Sequence, residues 1–570
     1  MPLLVGAAAV VLALPSLWGG LVFDDHFHYA ALQGLPALGP RFKPTLDIFV
    51  FADGDPARMV DMMDKGIIPW WAAPELRLAF WRPLTTALHW VDYRLWPREP
   101  WLMHVHNLLW LAVMVVAAAL VYRRFMGAGW VAGLAALLYA IDDARAMPAG
   151  WVANRNGLIC AAFGFACIWL HDRWRRDGSR PAAVGAVGCL ALALLAKETA
   201  LGASAYLFAY ALFIERGRWR ARALSLAPYV IVSVAWLIVY RATGHGTYGS
   251  ETYVSPFSLR FPGALIARAP ALLVGQWALP PSDLFPLVPD WAKAVVWVWC
   301  VGALSVLGVL LAPLLRRDAV SRFWCVGMVL SAAPGCAAIL TDRLLLFVGL
   351  GAMGLVAQFI AAVRAGEEGW VARAACWALI GVHLVLAPVL LPLRIVGFAA
   401  YGQQANRAAA TAQFDGSIVD KTVVVVDAPH IGYCGYLMIM RALESKPVPA
   451  HIRSLGPNSG LPVPIRFTRT DERTLVAAPS IGFPWLLTRD RAHPFHVGDR
   501  VELSGMTIEV TKVARLGYAT EVAYHFDVPL EDPSLVWLEV HRAAYRPFTP
   551  PAVGQSVVLN KPATVHARAE

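Results

Sequence analysis

Phe23-Asp24-Asp25-His26-Phe27-His28-Tyr29 is the densest run of reactive side chains in the sequence, and it follows directly on an apolar stretch, 3–22. Two adjacent carboxylates repel, which favours keeping a proton on one of them. A carboxylate of that kind at the edge of an apolar phase suits a general base acting on a hydroxyl. Adjacency alone does not choose between the two, and Asp25 is placed just ahead of Asp24. An acid pair can also mark the aqueous end of a span, or hold a divalent ion through oxygen ligands. Three further ionisable groups stand at turns between apolar runs: Arg155 in Trp151-Val152-Ala153-Asn154-Arg155, Lys197 in Lys197-Glu198-Thr199, and Arg343 after Asp342. Charge at membrane depth costs roughly 2.5–3.5 kcal/mol, so such groups face a cavity or a partner. Three cations on one face suit a phosphate or pyrophosphate. The competing expectation is local neutralisation, of Lys197 by Glu198 and of Arg343 by Asp342.

The elements that hold these residues are apolar helices. Of 570 residues, 58% are hydrophobic and 15% charged, and the mean hydropathy is +0.53. A soluble domain carries about 25% charged residues. Eleven apolar runs are long enough to be read as spans: 3–22, 105–122, 128–147, 155–171, 181–197, 199–215, 223–241, 291–314, 320–340, 343–363 and 370–396. The first lacks a basic n-region and a cleavage site and is read as an uncleaved anchor. Five connections hold most loop arginines: Arg123/Arg124; Arg173/Arg175/Arg176/Arg180; Arg216/Arg218/Arg220/Arg222; Arg316/Arg317/Arg322; and Arg364/Arg373. Short basic loops stay cytoplasmic. The side bearing Asp24, Arg155, Lys197 and Arg343 is then the outer one. The formal charge of +10 belongs to those basic loops beside anionic headgroups and not to nucleic acid.

Residues 23–104 form a large outer loop. Within it, 67–95 and Trp96 mix Trp70, Trp71, Trp81, Trp90 and Trp96 with Arg77, Arg82, His89 and Asp92, a composition expected of interfacial helices. The segment 258–279 is expected to be an interfacial or re-entrant helix. From about 401 the composition turns to strand-formers at 421–427, 501–513, 535–540 and 556–559, with Gly505 at a hairpin turn. Residues 1–400 are therefore read as the membrane module and 401–570 as an outer β-containing domain. Seven of eight cysteines fall in the apolar runs and only Cys434 in soluble sequence, so no disulfide framework is available. No Cys/His spacing of metal-binding type occurs.

The order of these motifs resembles the integral-membrane sugar transferases of the GT-C fold, in particular the bacterial O-mannosyltransferase-like group. The matching residues are Asp24-Asp25, Arg82-Pro83-Leu84, Asp92-Tyr93-Arg94-Leu95-Trp96, His104 with Asn107-Leu108-Leu109, Trp151 to Arg155, Lys197-Glu198-Thr199 and Asp342-Arg343, together covering about residues 20–350. Where that group often has His-Pro-x-His-x-Glu, this chain reads Asp142-Asp143-Ala144-Arg145-Ala146-Met147, and no tetratricopeptide pattern follows. The resemblance implies a polytopic glycosyltransferase of the bacterial inner membrane taking sugar from a polyprenyl-phosphate donor. Arg155, Lys197 and Arg343 would meet the donor phosphate, and Asp25 or Asp24 would deprotonate an acceptor hydroxyl on a lipid, glycan or protein, with inversion. His26, His28, Arg82, His104, Glu198 and Asp342 would line the cavity. No cofactor is assigned, and the acidic pair is compatible with a divalent cation, Mg or Mn. A transporter or flippase of lipid-linked saccharides, or a non-catalytic glycan-binding scaffold, would share the intramembrane charges.

Overall fold

The computed structural model describes residues 1–35, 38, 45–277, 280–366, 369–485 and 487–560. The end of the 258–279 segment and the last ten residues of the 401–570 domain lie outside the described residues. The chain is helical in its first two thirds and strand-containing towards the C-terminus. It divides into two compact units that do not follow chain order: Met1–Leu21 with Phe80–Gly246 and Val254–Ala400, and Val22–Ala79 with Thr247–Tyr253 and Tyr401–Glu570.

The first unit is a helical bundle. Among the described residues, seven helices are long and apolar enough to cross a membrane: Pro100–Met126, Val152–Asp177, Trp219–Ala242, Trp291–Arg317, Ala319–Ala337, Leu346–Arg364 and Trp370–Thr411, the last of which runs on into the second unit. Pro2–Trp18, Trp130–Ile141 and Arg180–Ala196 are shorter apolar helices, as is Leu201–Phe213. Seven is fewer than the eleven apolar runs of the sequence, because several runs are cut by 3-10 turns at their polar ends, as at Asp143–Arg145 and Glu198–Ala200. Local signals set the boundaries. Gly178, at φ +69, ends the helix Arg155–Asp177 in the left-handed region, and Ser179 Oγ accepts from Ala182 N to start the next.

Two helices keep most of their apolar surface outward. Ile231 on Trp219–Ala242 and Val309 on Trp291–Arg317 are 67% and 74% exposed, which suits hydrocarbon and not water. The centre is close-packed around Leu346–Arg364. Tyr122, Tyr139 and Tyr206 donate their hydroxyls to the carbonyls of Leu350, Leu346 and Phe347 at 2.6, 3.0 and 2.6 Å. Gly351 permits this approach, since a Cβ there would sit 2.4 Å from Trp324 O.

All five arginine-bearing connections gather at one end of this bundle. Arg124 pairs with Asp172 and, at 2.6 Å, with Asp177, and Arg175 pairs with Glu215. Arg322 lies over the Phe213 ring at 5.7 Å, and Arg364 over Trp130 at 5.4 Å. Arg155, Lys197 and Arg343 begin or end helices whose other termini carry those arginines, so they stand at the opposite end.

Besides a small sheet that contains Val50–Asp53 and Arg77–Ala79, the second unit holds two larger sheets among the described residues. Six antiparallel strands run in the order Ser556–Leu559, Ile465–Arg469, Thr474–Pro479, Ala519–Phe526, Met506–Val513 and Arg500–Leu503. Gly505, at φ +76, turns the last hairpin. The other sheet runs Ala544–Pro547, Leu535–His541, Thr422–Val425 and His451–Ser454, with its last three strands parallel. Helix Gly435–Leu443 makes the crossover between Thr422–Val425 and His451–Ser454.

The tryptophan-rich segment departs from expectation here. Trp70 and Trp71 lie on no helix. They are buried in the core of this unit against Phe483, at 5.3 and 5.5 Å, and Trp70 Nε1 donates to Tyr524 OH at 3.2 Å. An indole satisfies its N–H equally well in a wet interface or on a buried hydroxyl, so composition did not separate the two. The other half of the segment is helical, Pro83–Leu95, with Trp90 and Leu95 exposed and Thr85, Thr86, His89 and Asp92 buried. That helix is polar inward and apolar outward. The 258–279 segment is helical over Phe261–Trp277, with its second half, Ala271–Trp277, largely buried.

Candidate functional site

Two constellations contain the residues singled out from the sequence, one in each unit. In the helical unit, the cationic residues divide into a neutralised group and an unbalanced one. Arg155 is fully buried and its guanidinium is engaged on every side. Nη1 pairs with Asp92, Nε donates to Asn107 Oδ1 at 3.2 Å, and Nη2 to Met103 O at 2.7 Å. Asp92 in turn accepts from His106 Nδ1 at 2.6 Å. The inward-facing polar stripe of Pro83–Leu95 thus supplies the counter-ion for Arg155, sixty-three residues away.

Asp342 is neutralised too, but not by Arg343. Its carboxylate accepts from Ser282 N at 2.8 Å and pairs with Arg394 at 2.7 Å, and Arg394 also pairs with Asp143 and Asp283. Burial, then the Asp283 charge, push the Asp342 carboxyl up to about 6 against the pull of Arg394. Arg394 went unread in the sequence because it sits inside the last apolar run. The signal was present: a lone arginine at that depth requires acidic partners.

Glu198 does not neutralise Lys197 either. It takes a forked contact from Arg82, with Nη2 at 2.8 Å and Nε at 3.1 Å from Oε2. Lys197 follows the last turn of Arg180–Ala196, where its own N–H closes on Ala193 O at 3.0 Å. Its side chain is 6% exposed, and it is surrounded electrostatically by Arg82, Arg343, Cys160 and Glu198. Arg343 donates Nε to Thr341 Oγ1 at 3.1 Å and lies 5.7 Å from the Trp151 ring. Among the described residues, no carboxylate comes within 4.0 Å of Lys197 or Arg343. The expected local pairing is therefore absent at both positions. Lys197 thus has the guanidiniums of Arg82 and Arg343 in its electrostatic surroundings, with Glu198 turned to Arg82. Of the trio Arg155, Lys197 and Arg343, Arg155 is held by Asp92, while Lys197 and Arg343 lie in one electrostatic neighbourhood with Arg82.

His104 belongs to the helical unit, with Nε2 3.0 Å from Gly20 O. His26, His28 and the acidic pair belong to the second unit. Helix Asp24–Gln33 begins after Phe23, which holds φ +50, a conformation rare for an aromatic residue and characteristic of over-determined sites. Asp25 is fully buried and accepts from Val22 N at 2.9 Å, closing the helix start on itself. Asp24 is half-buried and accepts from Tyr436 OH at 2.7 Å. His26 lies 3.1 Å from Asn406 Oδ1, and His28 is buried edge-on against Phe49 at 4.5 Å. Asp24 is thus partly accessible and Asp25 is not. Tyr436 was invisible in the sequence, lying 412 residues from its partner.

Among the described residues, no group of three or more His, Cys, Asp or Glu gathers as a metal ion would require. All eight cysteines are free.

No protein-family model matches the chain, and no curated protein does. Among solved structures, the chain is similar to ArnT from Cupriavidus metallidurans bound to undecaprenyl phosphate, at 15% identity and a TM-score of 0.40, over 78% of this chain and 84% of that one. It is similar to the archaeal oligosaccharyltransferase AglB from Archaeoglobus fulgidus, in complex with an inhibitory peptide and a dolichol-phosphate, at 10% identity and a TM-score of 0.39, over 79% of this chain and 64% of that one. A second structure of the Archaeoglobus fulgidus oligosaccharyltransferase, tethered with an acceptor peptide, aligns at 12% identity and a TM-score of 0.40, over 79% of this chain and 63% of that one. The chain spans just under two thirds of the length of both archaeal structures.

Proposed function

We propose that the protein is a membrane glycosyltransferase that moves a sugar from a polyprenyl-phosphate donor to an acceptor hydroxyl on the extracytoplasmic side. The observation that carries the reading is the charge imbalance at Lys197. A buried lysine beside two guanidiniums, with no carboxylate within 4.0 Å of it among the described residues, is costly to keep charged until an anion joins it. A phosphate ester brings one to two negative charges and acceptor oxygens suited to the arginine fork. Lys197, Arg343 and Arg82 hold the phosphate and stabilise the charge that develops on it as the glycosidic bond breaks. Arg155, whose charge Asp92 balances, keeps the helix ends in place around them. Gathering of the arginine loops at the far end supports an outward orientation for these residues.

Asp24 is the base of this reading. It takes the acceptor proton as the acceptor oxygen bonds to the anomeric carbon and the phosphate departs, a single displacement that inverts the centre. The acceptor is a lipid, glycan or protein hydroxyl. Mannose is the sugar suggested by the motif resemblance.

The test is turnover of synthetic polyprenyl-phosphate hexoses by the purified full chain, read as released polyprenyl phosphate. Asp24→Asn is expected to lower turnover about a hundredfold to ten-thousandfold with donor affinity unchanged. Asp25→Asn is expected to act mainly through stability. Full activity in the Asp24 variant ends the acid–base role, and no release from any hexose with the unmodified chain ends the transferase reading.

A further inference from the structure

We infer that Tyr436, supplied by the C-terminal strand-rich region, is a positioning residue for the Asp24 carboxylate. This rests on the reading of Asp24 as the base and adds a partner that the acid–base chemistry depends on. The hydroxyl donates to Asp24 Oδ1 at 2.7 Å, the length of a charge-assisted bond. It takes one of about four acceptor positions that a carboxylate offers, and it fixes the plane of the group.

Both ends of the bond are held by backbone that cannot easily yield. On one side, the strained Phe23 places its ring 5.7 Å from Tyr401 and 5.5 Å from His430. Gly402 lies so close that a Cβ there would meet Val22 Cβ at 2.6 Å. On the other side, Tyr436 stands in the first turn of Gly435–Leu443, whose start is seated against the chain at Ile67. A Cβ on Gly435 would fall 2.4 Å from Ile67 O. At its far end the same helix is tied by Arg441, which donates to Pro447 O at 2.7 Å and to Ala412 O at 3.0 Å. Neither partner of the bond can move without one of these contacts giving way.

The chemistry follows from the direction of donation. Burial, and then the charge of Asp24, raise the Tyr436 hydroxyl well above its ordinary range, so it stays protonated and remains a donor throughout the working pH range. A donor aimed at a carboxylate favours its charged form, which is the form a base needs. On the same helix Asp25 and His26 are titratable neighbours of Asp24, and His26 is held by Asn406. A tyrosine that only tied the two helices together would affect stability and leave the pH profile alone.

The experiment compares the unmodified chain, Tyr436→Phe, Tyr436→Gln and Asp24→Asn in release of polyprenyl phosphate from polyprenyl-phosphate hexoses between pH 4 and 8. Tyr436→Phe is expected to lower kcat about tenfold, to move the acid limb of kcat/KM up by about one pH unit, and to leave the donor KM within twofold. Tyr436→Gln restores a donor and is expected to recover part of kcat. An inactive Asp24→Asn beside a Tyr436→Phe variant with unchanged kcat and an unmoved acid limb overturns the Tyr436 role while leaving Asp24 as base. A fully active Asp24→Asn overturns the underlying reading instead. Equal melting temperatures of the Tyr436 variants and the parent separate positioning from folding, and a loss of activity that tracks a lower melting temperature in both variants also overturns the role.

Discussion

Lys197→Met and Arg155→Met remove one buried positive charge each, from the same end of one bundle, and the structure assigns them opposite consequences. Arg155 is the counter-ion of a fully buried carboxylate, Asp92. Taking one partner from a buried pair costs about 3–5 kcal/mol because the other charge is left uncompensated. His106, 2.6 Å from Asp92, offers a residual donor, which argues for the lower part of that range. Lys197 has no carboxylate within 4.0 Å among the described residues, so its removal strands nothing, and it relieves the repulsion from Arg82 and Arg343. Lys197→Met is therefore expected to leave the melting temperature unchanged or raised. Its cost should appear in ligand affinity: a charge-assisted contact is worth roughly 1.5–3 kcal/mol, or about a tenfold to hundredfold loss of polyprenyl phosphate binding. The assay pairs thermal unfolding in detergent with titration of polyprenyl phosphate on the purified chain. A Lys197→Met variant as unstable as Arg155→Met, or one that binds polyprenyl phosphate with parental affinity, refutes the division into neutralised and unbalanced cations.

Two further outcomes are expected in the strand-rich unit. Trp70→Ala opens a cavity among Phe483, Phe495 and Tyr524 and removes a hydrogen bond, so a loss of about 3–5 kcal/mol is expected, measurable as faster amide exchange across Ala519–Phe526. Burial, and after it the Glu539 charge, push the Asp427 carboxyl up to about 6 although Val540 N–H donates to it. Its folded value is above the unfolded one, so its contribution is fully present below about pH 4 and is lost as pH rises through 6, on the order of 3 kcal/mol in all. Amide protection in Thr422–Val425, corrected for intrinsic exchange, should therefore increase from pH 7 to pH 5 in the parent and stay flat in Asp427→Asn.

What could be read from the sequence was whatever short-range patterning carries. The apolar runs, the arginine-bearing connections, the Gly505 hairpin and the clustering of ionisable residues at helix ends are all local, and each is set by a few neighbouring residues. Partnership was not legible. Glu198 and Asp342 are each adjacent in sequence to the cation they were expected to neutralise, yet they pair with Arg82 and Arg394, because extended and 3-10 backbone at these turns sends neighbouring side chains in different directions. Asp92 and Arg155 found each other through the inward polar face of Pro83–Leu95, a helix whose polarity is inverted relative to that of a water-soluble one. Trp70 and Trp71 show the limit of composition, since the same indoles suit a bilayer surface or a β-core. Strands Ile465–Arg469, Thr474–Pro479 and Ala519–Phe526 went unread.

The bond from Trp70 to Tyr524 joins residues 454 positions apart. At about 5–20 residues per second of synthesis, Trp70 waits roughly half a minute to a minute and a half before its partner exists. During that interval two adjacent indoles, destined for a core, have left the ribosome with nothing to pack against while most of the bundle helices are still being made. Trp70 and Trp71 therefore stay without their core until the last strands have been made. Premature termination anywhere before the last strands would yield a chain whose helices can insert but whose aromatic core cannot close, and quality-control proteases would meet it with Trp70 and Trp71 exposed.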